Sequence, residues 1–193
     1  MFRRSAYVFG GDILAAAFVF ARNVLLARLL PIEDYGIAVT FVIMVSAMEL
    51  ATNIAADRLL IQAKDGDDPV LENVMHGFEI LRGAVLAVIL FLLAGPLASF
   101  FQVPEAIDAF RILALVPLVR GFRHLDMFRV QREKDFGPYV KTPLIGQGVA
   151  TLAVFPLVML LPDYRTMLAS IIIQHVLFVV MSHYYAVRPY RVA

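Results

Sequence analysis

The residues of this chain with chemistry to do are charged and amide side chains embedded in otherwise apolar runs. Asp12, Arg22 and Asn23 lie in the first run, and Glu49, Thr52, Asn53, Ala56 and Asp57 follow in the second, spaced as one helical stripe. Asp12 and Asn23 are eleven residues apart, about 1100° of helical rotation, so they share a face. Counted from the turn joining the two runs, Asp12 and Asn53 reach a similar depth of roughly 26 Å, with Glu49 about 6 Å shallower. The two runs are therefore expected to present a polar seam to each other or to a common cavity. Such groups can line a pathway, or they can pair between helices as packing glue. The fourth run carries Arg120, Arg123, His124 and Asp126 in its inner third, with Arg111 near its outer end and Arg129 following. This basic group reads as a cytoplasmic anchor or as an inner vestibule attracting an anionic headgroup, where Arg suits bidentate phosphate contacts. Glu79 and Arg82, three apart, read as a local ion pair. Gln174, His175, Ser182 and His183 form a polar stripe in the last run, with His175 read as a hydrogen-bonded helix contact ahead of a proton relay.

Six apolar runs must position these groups, at residues 7–30, 36–60, 77–101, 106–128, 138–161 and 165–187. Each is long enough to cross ~30 Å of hydrocarbon at ~1.5 Å per residue. Polar groups at that depth are expensive unless they face protein or a wet cavity. Lys and Arg fall in alternate gaps: Arg3 and Arg4, then Arg58 and Lys64, then Arg129, Arg132, Lys134 and Lys141, and finally Arg188 and Arg191. The gaps Pro31–Tyr35, Gln102–Glu105 and Pro162–Tyr164 contain none. The positive-inside rule then places both termini in the cytoplasm. Tyr7, Tyr35, Tyr139, Tyr164, Tyr184, Tyr185 and Tyr190 all fall near span ends, where an amphipathic ring prefers to lie. The fold expected is an all-α membrane protein, one six-helix lobe over residues 1–193 built as three antiparallel hairpins with short outer turns. Pro143, Gly146, Gly148 and Pro156 mark span five as the one to kink.

With 61% hydrophobic and 17% charged residues, against roughly 25% charged in soluble domains, the chain lacks the polar surface of a water-soluble globule. A net charge of +1, with bases beside span ends and not on one face, is no nucleic-acid footprint. The absence of cysteine removes disulfides, thiolate zinc and cysteine catalysis. Asp12 within the first apolar stretch, and helical continuation to Leu30, argue against a cleaved signal peptide. No GxSxG, HExxH or Walker-type motif is present. Asp65, Asp67 and Asp68 read as a solvated turn in preference to a metal-diphosphate motif, and the four histidines lack metal-ligand spacing on any one helix. No cofactor and no metal site is expected, and the chain does not read as an enzyme.

The run Ala27–Gly36, with its Ala-Arg-Leu-Leu start and Glu-Asp-Tyr-Gly end, looks like the turn joining the first two helices of lipopolysaccharide and polysaccharide exporters. These belong to the multidrug/oligosaccharidyl-lipid/polysaccharide superfamily. Leu97–Phe101 with Pro104-Glu105, then Arg111–Leu115, is similar to that family's segment between helices three and four, and Phe128–Phe136 to its inner loop. Together the three stretches span most of the chain in order. The family's usual glycine is replaced by Pro31, which should stiffen that turn. The resemblance implies flipping or export of lipid-linked saccharide across a bacterial inner membrane, by alternating access between two six-helix lobes. It implies partners as well: membrane lipids, an undecaprenyl-diphosphate-type carrier, and a carboxyl-terminal lobe or second subunit, this chain corresponding to the amino-terminal lobe. On that reading Arg22, Asn23 and Asn53 contact diphosphate or sugar, Asp12, Glu49 and Asp57 are coupling-ion candidates, and Arg120, Arg123 and His124 form the basic vestibule. A membrane enzyme of glycolipid or cell-envelope polysaccharide assembly, using the acidic loop, and a transport-inactive module are the alternatives.

Overall fold

A computed structural model describes residues 2–52, 60–61 and 67–192. Asn53 and Asp57, and Asp65 of the acidic loop, lie outside the described residues. The described chain is all-α: α1 (Phe2–Leu29), α2 (Ile32–Thr52), α3 (Pro69–Phe100), a 3-10 turn (Pro104–Ala106), α4 (Ile107–Leu113), α5 (Leu115–Gly121), α6 (Asp126–Arg132), α7 (Gly137–Leu160) and α8 (Arg165–Tyr184). Four stretches among the described residues have the length and hydropathy to cross a membrane: Ala6–Leu29, Pro69–Phe100, Gly137–Leu160 and Arg165–Tyr184. Their outward faces are apolar, with Leu92 71% and Met159 84% exposed, the surface expected of a protein solvated by lipid. The end bearing the Lys- and Arg-rich gaps is called the inner end below.

Local chemistry sets the helix limits. Asp68 accepts the Val70 N–H at 2.8 Å and caps α3, Pro69 occupies its first position, and Glu72 complements the dipole of its first turn. The helix thus starts eight residues before the apolar run that betrays it, and Glu72 and His76 become part of its first two turns. At its far end Val103 N–H bonds the Ala98 carbonyl at 2.8 Å and Gln102 N–H that of Ser99 at 3.1 Å, a Schellman motif with Gln102 at φ 60°. Lys134, at φ 67°, ends α6 the same way, with Asp135 N–H on Val130 and Lys134 N–H on Gln131.

α7 is helical throughout, with Pro143 and Pro156 inside it, and it is the fourth run that is divided, at Ala114 and again at residues 122–125. Pro117 has no N–H to give to Leu113, so the helix restarts at Leu115 with the proline in its first turn, where that N–H is not needed. Of the two arrangements open to the polar groups of α1 and α2, those among the described residues do not face each other, and Asp12 and Glu49 instead line adjoining cavities. α1 packs on α7, α7 packs most extensively on α8, and α2 meets α8 more than it meets α1.

Two apolar cores hold the bundle. The outer one gathers Leu26, Phe41, Phe110, Leu113 and Met167 around Ala94, Ala98 and Ala106. Tyr164 staples the outer turns: its ring lies edge-on to Phe41, its N–H reaches Asp34 Oδ1 at 3.4 Å, and its hydroxyl donates to the Glu105 carbonyl at 3.2 Å. The smaller inner core comprises Leu60, Leu125, Met127 and Phe128. α3 and α5 cross in backbone contact, since a Cβ on Gly83 would stand 2.5 Å from the Pro117 carbonyl oxygen and one on Gly121 2.9 Å from that of Glu79.

Candidate functional site

The crossing of α3 and α5 delivers Arg120 and Arg123 to the bundle interior. Arg120 pairs with Glu49 of α2, and its guanidinium lies 5.6 Å from the Phe178 ring centroid. Arg123 reaches Glu79 Oε2 at 3.3 Å, the same oxygen that takes Arg82 at 2.6 Å, and lies over Phe128 at 5.4 Å. The local Glu79–Arg82 pair is therefore present and is extended by a third residue.

Beside the Glu49–Arg120 pair is a cavity of about 110 Å³ lined also by Pro143, Gln147, Gln174 and His175. A larger one of about 390 Å³ shares Arg120, Pro143, Gln147 and Phe178 with it and adds Asp12, Arg123 and Tyr139. The two form one cleft between α1, α5, α6, α7 and α8. Its amide wall lies deep: Gln174 is nine residues into α8, about 14 Å along it at ~1.5 Å per residue.

Arg22 stands behind that wall, only 5% exposed. It donates from Nη1 to Gln174 Oε1 at 2.7 Å and toward Ser170 Oγ at 3.4 Å, and Ser170 in turn donates to the Ala150 carbonyl. No carboxylate pairs with Arg22 among the described residues, so its charge is dispersed only through neutral dipoles. His175 Nε2 is likewise buried without a hydrogen-bond partner there, a correction to its reading as a hydrogen-bonded contact.

The sequence-derived site residues thus separate into groups. Asp12, Glu49, Arg120 and Arg123 line the cleft, Asp12 as an exposed carboxylate at its wider part, and Arg22 reaches it through Gln174. Asn23 is half-buried on α1 with no bond to the cleft among the described residues. His124 is not in the vestibule, because the turn at 122–125 carries it to the inner end. Each of the two vestibule arginines faces a glutamate, Glu79 being shared with Arg82.

At the inner end lies a second polar cluster that spacing along the chain could not disclose. Asp126, fully buried, accepts Arg129 Nε at 2.5 Å and the Val187 and Arg188 N–H groups at 2.7 and 3.3 Å. Arg188 bridges Glu72 at 3.1 Å and Asp67 at 2.9 Å. Asp67 and Asp68 are thus engaged in an ion pair and a helix cap. The rings of His76, His124 and His183 surround Tyr190 at 4.4, 5.5 and 4.8 Å. Burial, and then the charge of Glu79, push the Tyr190 phenol above its ordinary pKa. Three of the four histidines, which share no ligand spacing on any one helix, are therefore neighbours across three elements.

A polar cleft thus lies within an apolar helical bundle. The family described as "Polysaccharide biosynthesis protein" matches residues 25–193. The chain belongs to that family. No curated protein and no solved structure matches it. The matched region includes α2 to α8 and so every cleft residue named above except Asp12 and Arg22.

Proposed function

We propose that this polysaccharide biosynthesis family member moves a lipid-linked saccharide across the bacterial inner membrane, with both termini cytoplasmic, as one lobe of an alternating-access transporter. The observation that carries the reading is Arg22. A guanidinium buried at this depth with no carboxylate partner among the described residues favours an anion, and an amide-lined cleft lies directly before it. A diphosphate bridging a polyprenyl chain and a sugar supplies that charge, while Gln147 and Gln174 offer hydrogen bonds to hydroxyls. Glu49 and Arg120 form the exchangeable element. Protonation of Glu49, or arrival of the anion, frees Arg120 to bind phosphate, and re-pairing releases it. Asp12 is a second proton- or cation-binding candidate at the wider part of the cleft. Alternating access needs two bodies rocking about one site, so the lobe works with a second lobe, in the same or another chain.

The test is export in a strain lacking its own exporter, complemented by the transporter carrying Arg22→Gln or Glu49→Gln. The expected result is at least tenfold less surface saccharide with unchanged membrane abundance. Full export by Arg22→Gln at normal abundance would overturn the assignment.

A further inference from the structure

At the inner end Glu72, His76 and His124 bring ligand-capable atoms together. Glu72 and His76 stand one turn apart on α3, and His124 lies in the turn before α6. One ligand-capable atom from each lies within 4.8 Å of the other two, and none of the three residues is more than 4% exposed. We infer that these three side chains form a binding site for a divalent transition-metal ion of the zinc class.

The backbone dictates both tautomers. Leu125 N–H donates to His76 Nε2 and Asp126 N–H to His124 Nδ1, each at 3.1 Å, so those two nitrogens carry lone pairs and no proton. The protons sit on the opposite nitrogens, where His76 Nδ1 donates to the Arg191 carbonyl and His124 Nε2 to the Arg188 carbonyl, each at 3.0 Å. Metal-ligating imidazoles are held in this tautomer, the far N–H fixed on a carbonyl, and here each near nitrogen keeps a lone pair that accepts a backbone amide an ion would replace.

Glu72 completes the set. Its Oε2 accepts from Arg188, whereas Oε1 is buried, has no hydrogen-bond partner among the described residues, and lies 3.8 Å from His124 Nδ1. A buried carboxylate oxygen without a donor is a group that a cation satisfies. Two imidazoles with one carboxylate suit zinc, cobalt, nickel or copper and not magnesium or calcium, and leave a fourth position for water. Zinc bonds of ~2.0 Å set ligand atoms roughly 3.3 Å apart, so the Glu72–His124 pair must close by about half an ångström, and no pair by more than about 1.5 Å, as the ion displaces the two amides. That movement falls on the irregular turn 122–125. The bound ion would pin α3 to the break in the fourth run and, through two carbonyls, to the segment after α8. This inference stands independently of the proposed substrate.

The experiment uses the purified protein in detergent, any affinity tag removed, stripped with chelator and titrated with Zn²⁺ by calorimetry and Co²⁺ by absorption. One ion per chain at micromolar or tighter Kd is expected, with intense tetrahedral cobalt bands and a raised Tm. Glu72→Gln, which keeps an acceptor for Arg188, should weaken binding about tenfold or more, and His124→Gln should remove the cobalt bands. His183→Gln should change neither. Helical circular dichroism and elution volume certify folding, and Glu72→Gln decides alone if His124→Gln fails them. Absence of saturable binding, or unchanged affinity in Glu72→Gln, would overturn the site.

Discussion

Glu49 and Arg120 come from α2 and α5, so neither has its partner until the bundle has formed. Both side chains are partly exposed to the cleft, which limits what the pair adds to stability and leaves it free to exchange. A double-mutant cycle of Glu49→Gln and Arg120→Gln, measured by thermal unfolding in detergent, should give a coupling of about 1 kcal/mol. Strict additivity would mean the pair is incidental. At this scale the sequence was partly legible. Glu79 and Arg82 pair three residues apart on one helix, a distance that helical geometry alone determines. The partners of Arg22 and Glu49 were not, because they depend on how each helix is rotated about its axis. Asp12, Glu49 and Arg22 do converge, yet through α5, α7 and α8 and not across the α1–α2 interface. The histidine cluster is the extreme case: His76, His124 and His183 share no period, and only the return of the chain after α8 makes them neighbours.

Element limits show the same division between local and assembled information. Asp68, Pro69 and Glu72 announce the start of α3 in sequence, although the apolar run alone sets it later. Position within a helix decides what a proline does. Pro143 and Pro156 sit inside a helix that continues, whereas Pro117 sits where a helix begins again. Gln102 and Lys134 hold left-handed backbone with ordinary side chains, a cost that glycine avoids. Gln102→Gly and Lys134→Gly should each stabilise the protein by about 0.5–1 kcal/mol, read as a higher Tm in detergent. A lower Tm for both would contradict the Schellman geometry at these ends.

For the molecule as a whole, loop charge and tyrosine placement predict the topology, since it is written in residues that stay near the interface. The absence of native cysteine makes the orientation directly measurable. Single cysteines at Glu33 and Gln102 should react with a membrane-impermeant maleimide in intact cells, and those at Asp67 and Lys134 only after lysis. Labelling at Lys134 from outside would reverse the topology.

The central claim is that the cleft between α1, α5, α7 and α8 receives a saccharide-bearing lipid diphosphate. Gln147 lines both of its parts, so a cysteine there is its most direct probe. Gln147→Cys, in the transporter reconstituted into vesicles, would be labelled by a small thiol reagent with and without a polyprenyl-diphosphate saccharide. The account predicts that the lipid slows labelling in a saturable way, and that Arg22→Gln in the same background abolishes this protection. Equal labelling rates with and without the lipid, in a protein that still exports, would contradict it.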